Sequence, residues 1–494
     1  MTKGRTSTSL DLPTPAGLVS PAGKVSKQDV AYAALRDAIL GGVLGIGLRM
    51  PSTRTLALRW HVSRGTAETV YDRLCAEGYL ARRAGAGTFV SAVLPDGYLT
   101  AQTVALSGTE TVATVQKPPS LHDDLPHEIC VRVGVPFVAR LPDPGLFQPT
   151  SWLRLAAKAV ATSGEASDPA GLASLRAQIA DYLRQFRHID CAPQDILLTT
   201  GIRHAIDLIC RSFIAAGDKV CVEDPCYPFA RHIFALSRAV IATVPVQPDG
   251  IQIPALHPHG NAKLIYVTPA HQSPLGITMS VSCRLALLEW AQSNGVVIIE
   301  DDYDSEFSYS GAPLPALTSL DRSHQTIYCG SFNKTISPDL RIGFVVAKGE
   351  IRRKLAAVWQ LLGRSTPLMT QIALERYIGS GAFARHLRVA RHAYAQRRDS
   401  LLRILDVHAH GLYSISGHEA GFHFVLWLNN GQSEREFCDH AANAGIALQP
   451  LSAFCHEAVF PPAVIIGYAA LSLHQIEAAG IKLAAILAGH SCQC

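Results

Sequence analysis

The sequence predicts two folded parts: a large α/β domain built on a mainly parallel sheet wrapped by helices, and a small N-terminal domain of helices closed by a hairpin. Three observations carry this. From Asp195 onward, short apolar runs alternate with segments of helical period, the pattern of strand–helix units. Between Thr53 and Glu77, two helical segments flank the three-residue turn His61-Val62-Ser63, and Gly78 to Val90 then reads as a hairpin with a basic, glycine-rich tip. Within residues 26–93, nine basic residues face five acidic ones, so a surplus as large as the +4 of the whole chain is gathered there.

At 494 residues the chain exceeds one ordinary core, and 48% hydrophobic with 17% charged residues describes a folded protein. No apolar run is long enough to cross a bilayer and the N-terminus lacks a signal-peptide core, so a cytosolic protein without a membrane partner is expected. Twelve cysteines without framework spacing then read as reduced thiols. Cys492-Gln-Cys494 is too small to hold a metal, and no metal site is expected.

Taken in order, residues 1–25 are rich in Thr, Ser, Pro and Gly and read as a disordered arm. A first helix over Asp29–Leu40 ends at Gly41-Gly42. Ser52 caps a second helix from Thr53 to about Trp60, and Arg64 to Glu77 forms a third with Ala67, Val70, Tyr71 and Leu74 on its inner face. The hairpin follows, completing a domain over 26–93. Residues 94–130, with Pro95, Gly97, Pro118, Pro119 and Pro126, read as a linker. About 35 flexible residues span roughly 30–35 Å.

The large domain, 131–494, opens with Pro136-Phe137, Leu141-Pro142-Asp143-Pro144, Phe147 and Trp152, then an amphipathic helix through Leu175, Ile179 and Leu183. Strands are expected within the stretches Asp195–Gly201, Lys219–Pro225, Lys263–Pro269, Val296–Glu300, Thr326–Tyr328 and Ile342–Val346. Lys334 lies on the irregular connection between the last two, where α/β proteins place ligands. A lone loop lysine is ordinarily a solvated charge. Here, however, a core strand upstream ends in Glu300-Asp301-Asp302-Tyr303-Asp304, delivering acids and a tyrosine to the same edge. One Lys, one Asp and one Tyr beside a phosphate pocket is the residue set of pyridoxal phosphate chemistry.

On these motifs, residues from about Val131 to the C-terminus resemble a fold-type I aminotransferase domain, and residues 26–93 resemble a GntR-family winged helix-turn-helix. Together they resemble the MocR type of bacterial transcriptional regulator. The resemblance implies pyridoxal 5'-phosphate held as a Schiff base on Lys334. Gly201, Ile202 and Arg203 at a helix start, with Ser331 and Arg341, would hold the phosphate. Tyr227 would stack on the ring, Asp301 would meet the pyridine nitrogen, and His271 and Tyr303 would stand beside the phenolic oxygen. Asp301 suits its role better than Asp302 because Asp301 and Tyr303 share one face of an extended chain; Asp302, Asp304 and Glu306 are read as structural.

It also implies double-stranded operator DNA as a partner, met by Ser52, Arg54, Ser63, Arg64 and Thr66 at two helix starts and by Arg82, Arg83 and Gly85 in the wing. The competing reading is a solvated basic face on a protein-interaction module. Gly65 stands where the usual recognition helix offers a side chain. A head-to-tail homodimer is the further implication.

The chain departs from amino-acid-handling relatives in its carboxylate anchors. Phe229, Pro450–Phe454 and Ile465–Tyr468 carry no arginine where relatives carry one, with Arg231 merely close by, and Ala166-Ser167 replaces a tyrosine that reaches the neighbouring subunit's phosphate. These losses favour a regulator that senses pyridoxal phosphate, or an amine or amino-acid effector, over a working aminotransferase fused to a DNA-binding module. A cofactor-free scaffold is the third alternative.

Overall fold

The computed structural model describes residues 14–15, 26–83, 85–92, 135–160, 168–309, 314–362 and 366–489. The expected arm apart from Thr14 and Pro15, Ala84 of the wing, the expected linker 94–130, Ala166-Ser167 and the C-terminal cysteines lie outside these. The chain divides into two compact units, Met1–Lys117 and Pro118–Cys494.

In the first unit, α1 (Lys27–Leu40), α2 (Thr53–Trp60) and α3 (Arg64–Ala76) precede the antiparallel pair β1 (Leu80–Arg83) and β2 (Gly87–Val90). Each helix starts on a serine whose hydroxyl accepts a backbone N–H: Ser26 from Asp29, Ser52 from Thr55 and Ser63 from Thr66. Such caps satisfy donors that a helix start leaves without partners. Leu35, Leu56, Trp60, Val70, Tyr71, Leu74, Leu80 and Val90 form the core beneath them.

The second unit is built on an eight-stranded sheet. Its strands are β3 (Ile196–Thr199), β4 (Lys219–Asp224), β5 (Val240–Gln247), β6 (Gly250–Ile251), β7 (Leu264–Val267), β8 (Val297–Asp302), β9 (Thr326–Ser331) and β10 (Gly343–Val346). The order is β3-β10-β9-β8-β7-β4-β5-β6. β10 runs antiparallel between β3 and β9, and β6 antiparallel at the far edge; the remaining strands point one way.

Alternate residues serve opposite faces, as the two-residue period of a strand requires. Val220, Val222, Leu264, Tyr266 and Ile299 pack with α4 (Ile202–Phe213) and Trp359. Cys221, Ile265, Val267 and Ile298 pack with Leu287, Trp290 and Ala291 of another helix. Both faces are therefore covered, which is why the strands read as continuous apolar runs. A second, four-stranded antiparallel sheet follows in the order β11 (Tyr413–Ser416), β12 (His423–Leu428), β14 (Ala463–Gly467) and β13 (Gln449–Pro450). Because the parallel strands share a direction, Thr199, Asp224, Val267, Asp302 and Ser331 end at one edge, and β10 begins there.

Candidate functional site

A cavity of about 690 Å³ opens at that edge. Ile202, Arg203, Tyr227, Asp301, Tyr303, Lys334 and Arg341 line it, together with Arg140, Phe229, Ser273 and Gln449. The strand ends position them. Lys334 sits in a single helical turn, Phe332–Thr335, that β9 feeds directly, with Ser331 as its cap accepting the Asn333 N–H at 3.2 Å. Asn333 in turn accepts the Ile342 N–H at 3.1 Å, which ties the lysine turn to the start of β10.

Lys334 Nζ donates to the Arg140 carbonyl at 2.5 Å. Burial, followed by the charges of Arg140 and Arg203, pushes its pKa down to about 7, against the opposing pull of Asp304 and Asp301. Asp301 is buried and accepts a bond from Tyr266 Oη at 2.5 Å; burial pushes its pKa up to about 7. The two groups are thus drawn from opposite ends of the scale to neutrality, a disposition common at functional sites.

Asp302 faces the other way. It meets Arg187 Nε at 2.7 Å and accepts from Tyr328 Oη and Ser305 Oγ, each at 2.8 Å. Asp304 pairs with His271 and Glu306 accepts from Tyr182. Asp302 and Asp304 are buried and Glu306 half-buried, each with a partner, which leaves Asp301 and Tyr303 to the cavity.

Gly201 and Ser331 stand at the ends of β3 and β9. Gly201 has φ +122°, and a Cβ there would meet Asn333 Nδ2 at 2.8 Å, so only glycine lets the start of α4 approach the lysine turn. The amides of Ile202 and Arg203 belong to the first turn of α4, whose N–H groups lack intrahelical partners and suit an anion. Arg203 Nε donates to Tyr227 Oη at 3.2 Å, and its guanidinium lies 3.5 Å from the Phe229 ring centre.

His271 sits behind Tyr303 rather than in the cavity wall. It is buried below Tyr303, with Nδ1 at 2.7 Å from Asp304 and 3.2 Å from Tyr303 Oη, and it does not line the cavity. Ser273, two residues on, lines the cavity and hydrogen-bonds Tyr303. The physical reason is Asp304: a buried carboxylate needs a partner, and the imidazole supplies it. Arg231 donates to the Cys455 carbonyl at 3.0 Å and is not part of the cavity wall.

Sequence reasoning missed Arg140. Its guanidinium lies 5.4 Å from the Tyr227 ring centre and 5.0 Å from that of Phe454, with Nη2 at 3.4 Å from Gln449 Oε1. Its Nη1 is buried and has no hydrogen-bond partner. The one signal in the chain was a charge inside the apolar run Val135–Leu141.

On the first unit, Ser52, Arg54, Ser63, Arg64, Arg82, Arg83 and Gly85 are exposed and Thr66 half-buried. Ser52 and Ser63 are committed as caps. Arg64 pairs with Glu68 at 2.9 Å, Arg82 with Asp72, and Arg83 lies 4.8 Å from the Phe89 ring centre. Gly85 has φ +72°, the left-handed turn at the wing tip. A Cβ at Gly65 would meet only Ser63 Oγ, at 3.8 Å. Surface ion pairs of this kind are weak and give way readily to phosphates.

Residues 141–479 match the family "Aminotransferase class I and II", and residues 27–90 match "Bacterial regulatory proteins, gntR family". The chain is 33% identical over 450 residues to the probable rhizopine catabolism regulatory protein MocR of Rhizobium meliloti, covering 89% of each. The chain belongs to the MocR-type transcriptional regulators. It is also 35% identical over 399 residues to the pyridoxine biosynthesis regulator PdxR of Corynebacterium glutamicum, covering 81% of this chain and 82% of that one. Among solved structures, the α-aminoadipate aminotransferase LysN of Thermus thermophilus, complexed with N-(5'-phosphopyridoxyl)-L-leucine, superposes with a TM-score of 0.65 at 28% identity over 72% of this chain and 92% of that one. The large domain of this MocR-type chain is thus a fold-type I aminotransferase fold, and its GntR helix-turn-helix implies DNA binding. Among the described residues, no helix is long and apolar enough to cross a membrane.

Proposed function

We propose that the protein is a DNA-binding regulator whose large domain binds pyridoxal 5'-phosphate and responds to that cofactor or to an amine or amino-acid effector. The observation that carries this is one cavity in which a half-buried lysine, drawn to a pKa of about 7, shares the wall with Asp301, Tyr303, Tyr227 and Arg341. The residues fit the cofactor. The glycine-opened start of α4, Ser331 and Arg341 would hold its phosphate, Tyr227 its ring, Asp301 its pyridine nitrogen, and Tyr303 with Ser273 its phenolic oxygen. Bound there, the cofactor supplies an aldehyde that condenses with primary amines.

The chain's own groups do the rest. Lys334, neutral above about pH 7, is a nucleophile without help from a separate base. Tyr303, kept protonated by burial and backed by His271 and Asp304, would present its hydroxyl at the cavity wall. The GntR unit would use Arg54, Arg64 and Thr66 in the major groove and Arg82, Arg83 and Gly85 along the wing, with a head-to-tail homodimer presenting two such units to paired half-sites.

The test is an absorption spectrum of purified protein with added pyridoxal phosphate, alongside Lys334→Ala. A visible band that borohydride bleaches, and that the variant lacks, supports the reading. A protein showing no band after addition is a scaffold instead, and the search for its function moves to the GntR unit.

A further inference from the structure

We propose that Arg140 is the anion anchor of the cavity, and that the effector is an amine carrying a carboxylate. This rests on the reading that the cavity takes an amine. Among the described residues that line the cavity, Arg140 enters from a segment other than the strand ends that carry Asp301 and Lys334.

Four observations converge on it. The guanidinium lies 5.4 Å and 5.0 Å from the ring centres of Tyr227 and Phe454, and Arg140 shares the cavity wall with Tyr227 and Lys334. Nη1 is buried without a partner, and Gln449 takes up only Nη2, at a long 3.4 Å. Arg140 is half-buried, and a buried donor left without a partner is costly, while the planar fork matches two carboxylate oxygens. The described residues that line the cavity include two acids besides: Asp301, engaged by Tyr266, and Asp339, which is exposed.

The backbone supplies the fourth. Arg140 has φ +63°, the left-handed region that glycine occupies freely and arginine does not. Local conformation therefore favours glycine at this position, and the arginine is held there against that preference. Lys334 Nζ, bonded to the Arg140 carbonyl, places the amine-reactive group and the anion anchor on one short stretch of wall. A ligand with an amino group for the first and a carboxylate for the second would span them.

The experiment compares wild type, Arg140→Gly and Arg140→Lys loaded with pyridoxal phosphate. Arg140→Gly suits the backbone and should fold. L-Alanine, β-alanine and 4-aminobutyrate are titrated against ethylamine and propylamine, which lack the carboxylate, and binding is read from the displacement of the visible band. The expected result is that wild type prefers at least one amino acid to its carboxylate-free partner. Arg140→Gly should then weaken that amino acid by roughly ten- to a hundredfold without weakening the amines, and Arg140→Lys should keep part of the preference.

The proposal is overturned if wild type shows no preference, or if Arg140→Gly leaves the preference unchanged or weakens both ligand types alike. A second arm uses unloaded protein and propionate alone. Propionate should raise the melting temperature of wild type and not of Arg140→Gly; an equal rise in both overturns the proposal. A wild type that forms no visible band but passes this second arm would refute the cofactor reading and leave the anion anchor standing.

Discussion

Lys334 should react as an amine of near-neutral pKa. An ordinary lysine near 10.4 is about 0.3–0.4% neutral at pH 8, whereas one near 7 is about nine-tenths neutral, a gain of roughly 200- to 300-fold in nucleophile. The assay is reductive methylation of unloaded protein with formaldehyde and cyanoborohydride, with Lys334 followed by peptide mass spectrometry as pH is varied. Its rate should rise through about pH 7 and level off, while exposed lysines keep climbing toward pH 10. Arg140→Gly and Arg203→Ala should move the midpoint up, because both charges depress it, and Asp301→Asn should move it down. The same shift has a stability signature. Since the folded pKa lies below the unfolded one, the unfolded chain holds the extra proton between about pH 7 and 10, so the destabilisation is full below that window and fades as pH rises through it. A Lys334 rate that follows the exposed lysines up to about pH 10 would refute the argument from burial and the two arginines.

Asp301 carries the opposite sign. Its folded pKa of about 7 lies above the unfolded value, so the penalty is absent near pH 4 and complete above pH 7; Asp301→Asn should raise the melting temperature of unloaded protein at about pH 8, by at most about 4 kcal/mol of stability, and do nothing near pH 4. Gly65→Ala should stabilise the GntR unit by about 0.5–1 kcal/mol, because glycine inside a helix is poor and the space is open, as thermal unfolding of the protein would show. Arg64→Ala should weaken operator binding, lower the slope of its logarithm against log salt by about one, and leave the cofactor spectrum unchanged. Lys334→Ala should do the reverse: retain basal DNA binding and lose the response to ligand, and a folded Lys334→Ala that lost all DNA affinity would show the two functions inseparable.

Strand ends and helix starts were legible because they follow from short-range signals. Apolar runs closing on Asp301 or preceding Lys334, and serines set before Thr53 and Arg64, mark boundaries by local chemistry. The mainly parallel direction of the sheet followed from the alternation, and that in turn brought Tyr227, Asp301, Lys334 and Arg341 to one edge. The antiparallel insertion of β10 between β3 and β9 did not follow, since order across a sheet is a long-range property. His271 shows a related limit: its loop motif could be read, but its pairing with the buried Asp304, 33 residues distant, could not. Arg140 was invisible because its importance lies in a backbone angle and an unpaired nitrogen, neither of which sequence spacing records.

The strap that carries Arg140 explains why one residue can matter to both sheets. Pro136 accepts the Ala447 N–H and Phe137 the Gly467 N–H, each at 3.0 Å, which fastens the strap to the four-stranded side. Asp143, a few residues on, is held by Arg397 at 2.6 Å and donates its N–H to the Tyr394 hydroxyl oxygen at 2.9 Å. Between these fixed points, Arg140 meets Lys334 of the eight-stranded side. Gly467 leaves no slack: a Cβ there would lie 2.1 Å from the Val138 carbonyl oxygen and 2.6 Å from Ala139 Cα. The strap is therefore packed directly onto the smaller sheet. Gln449 reaches the cavity from that side, and Cys226 beside Tyr227 donates its N–H to the Phe454 carbonyl at 3.1 Å. An anion drawn to Arg140 would pull on a wall built jointly by the two sheets, so the charge that selects the ligand sits on the segment best placed to convert its binding into a change of their packing.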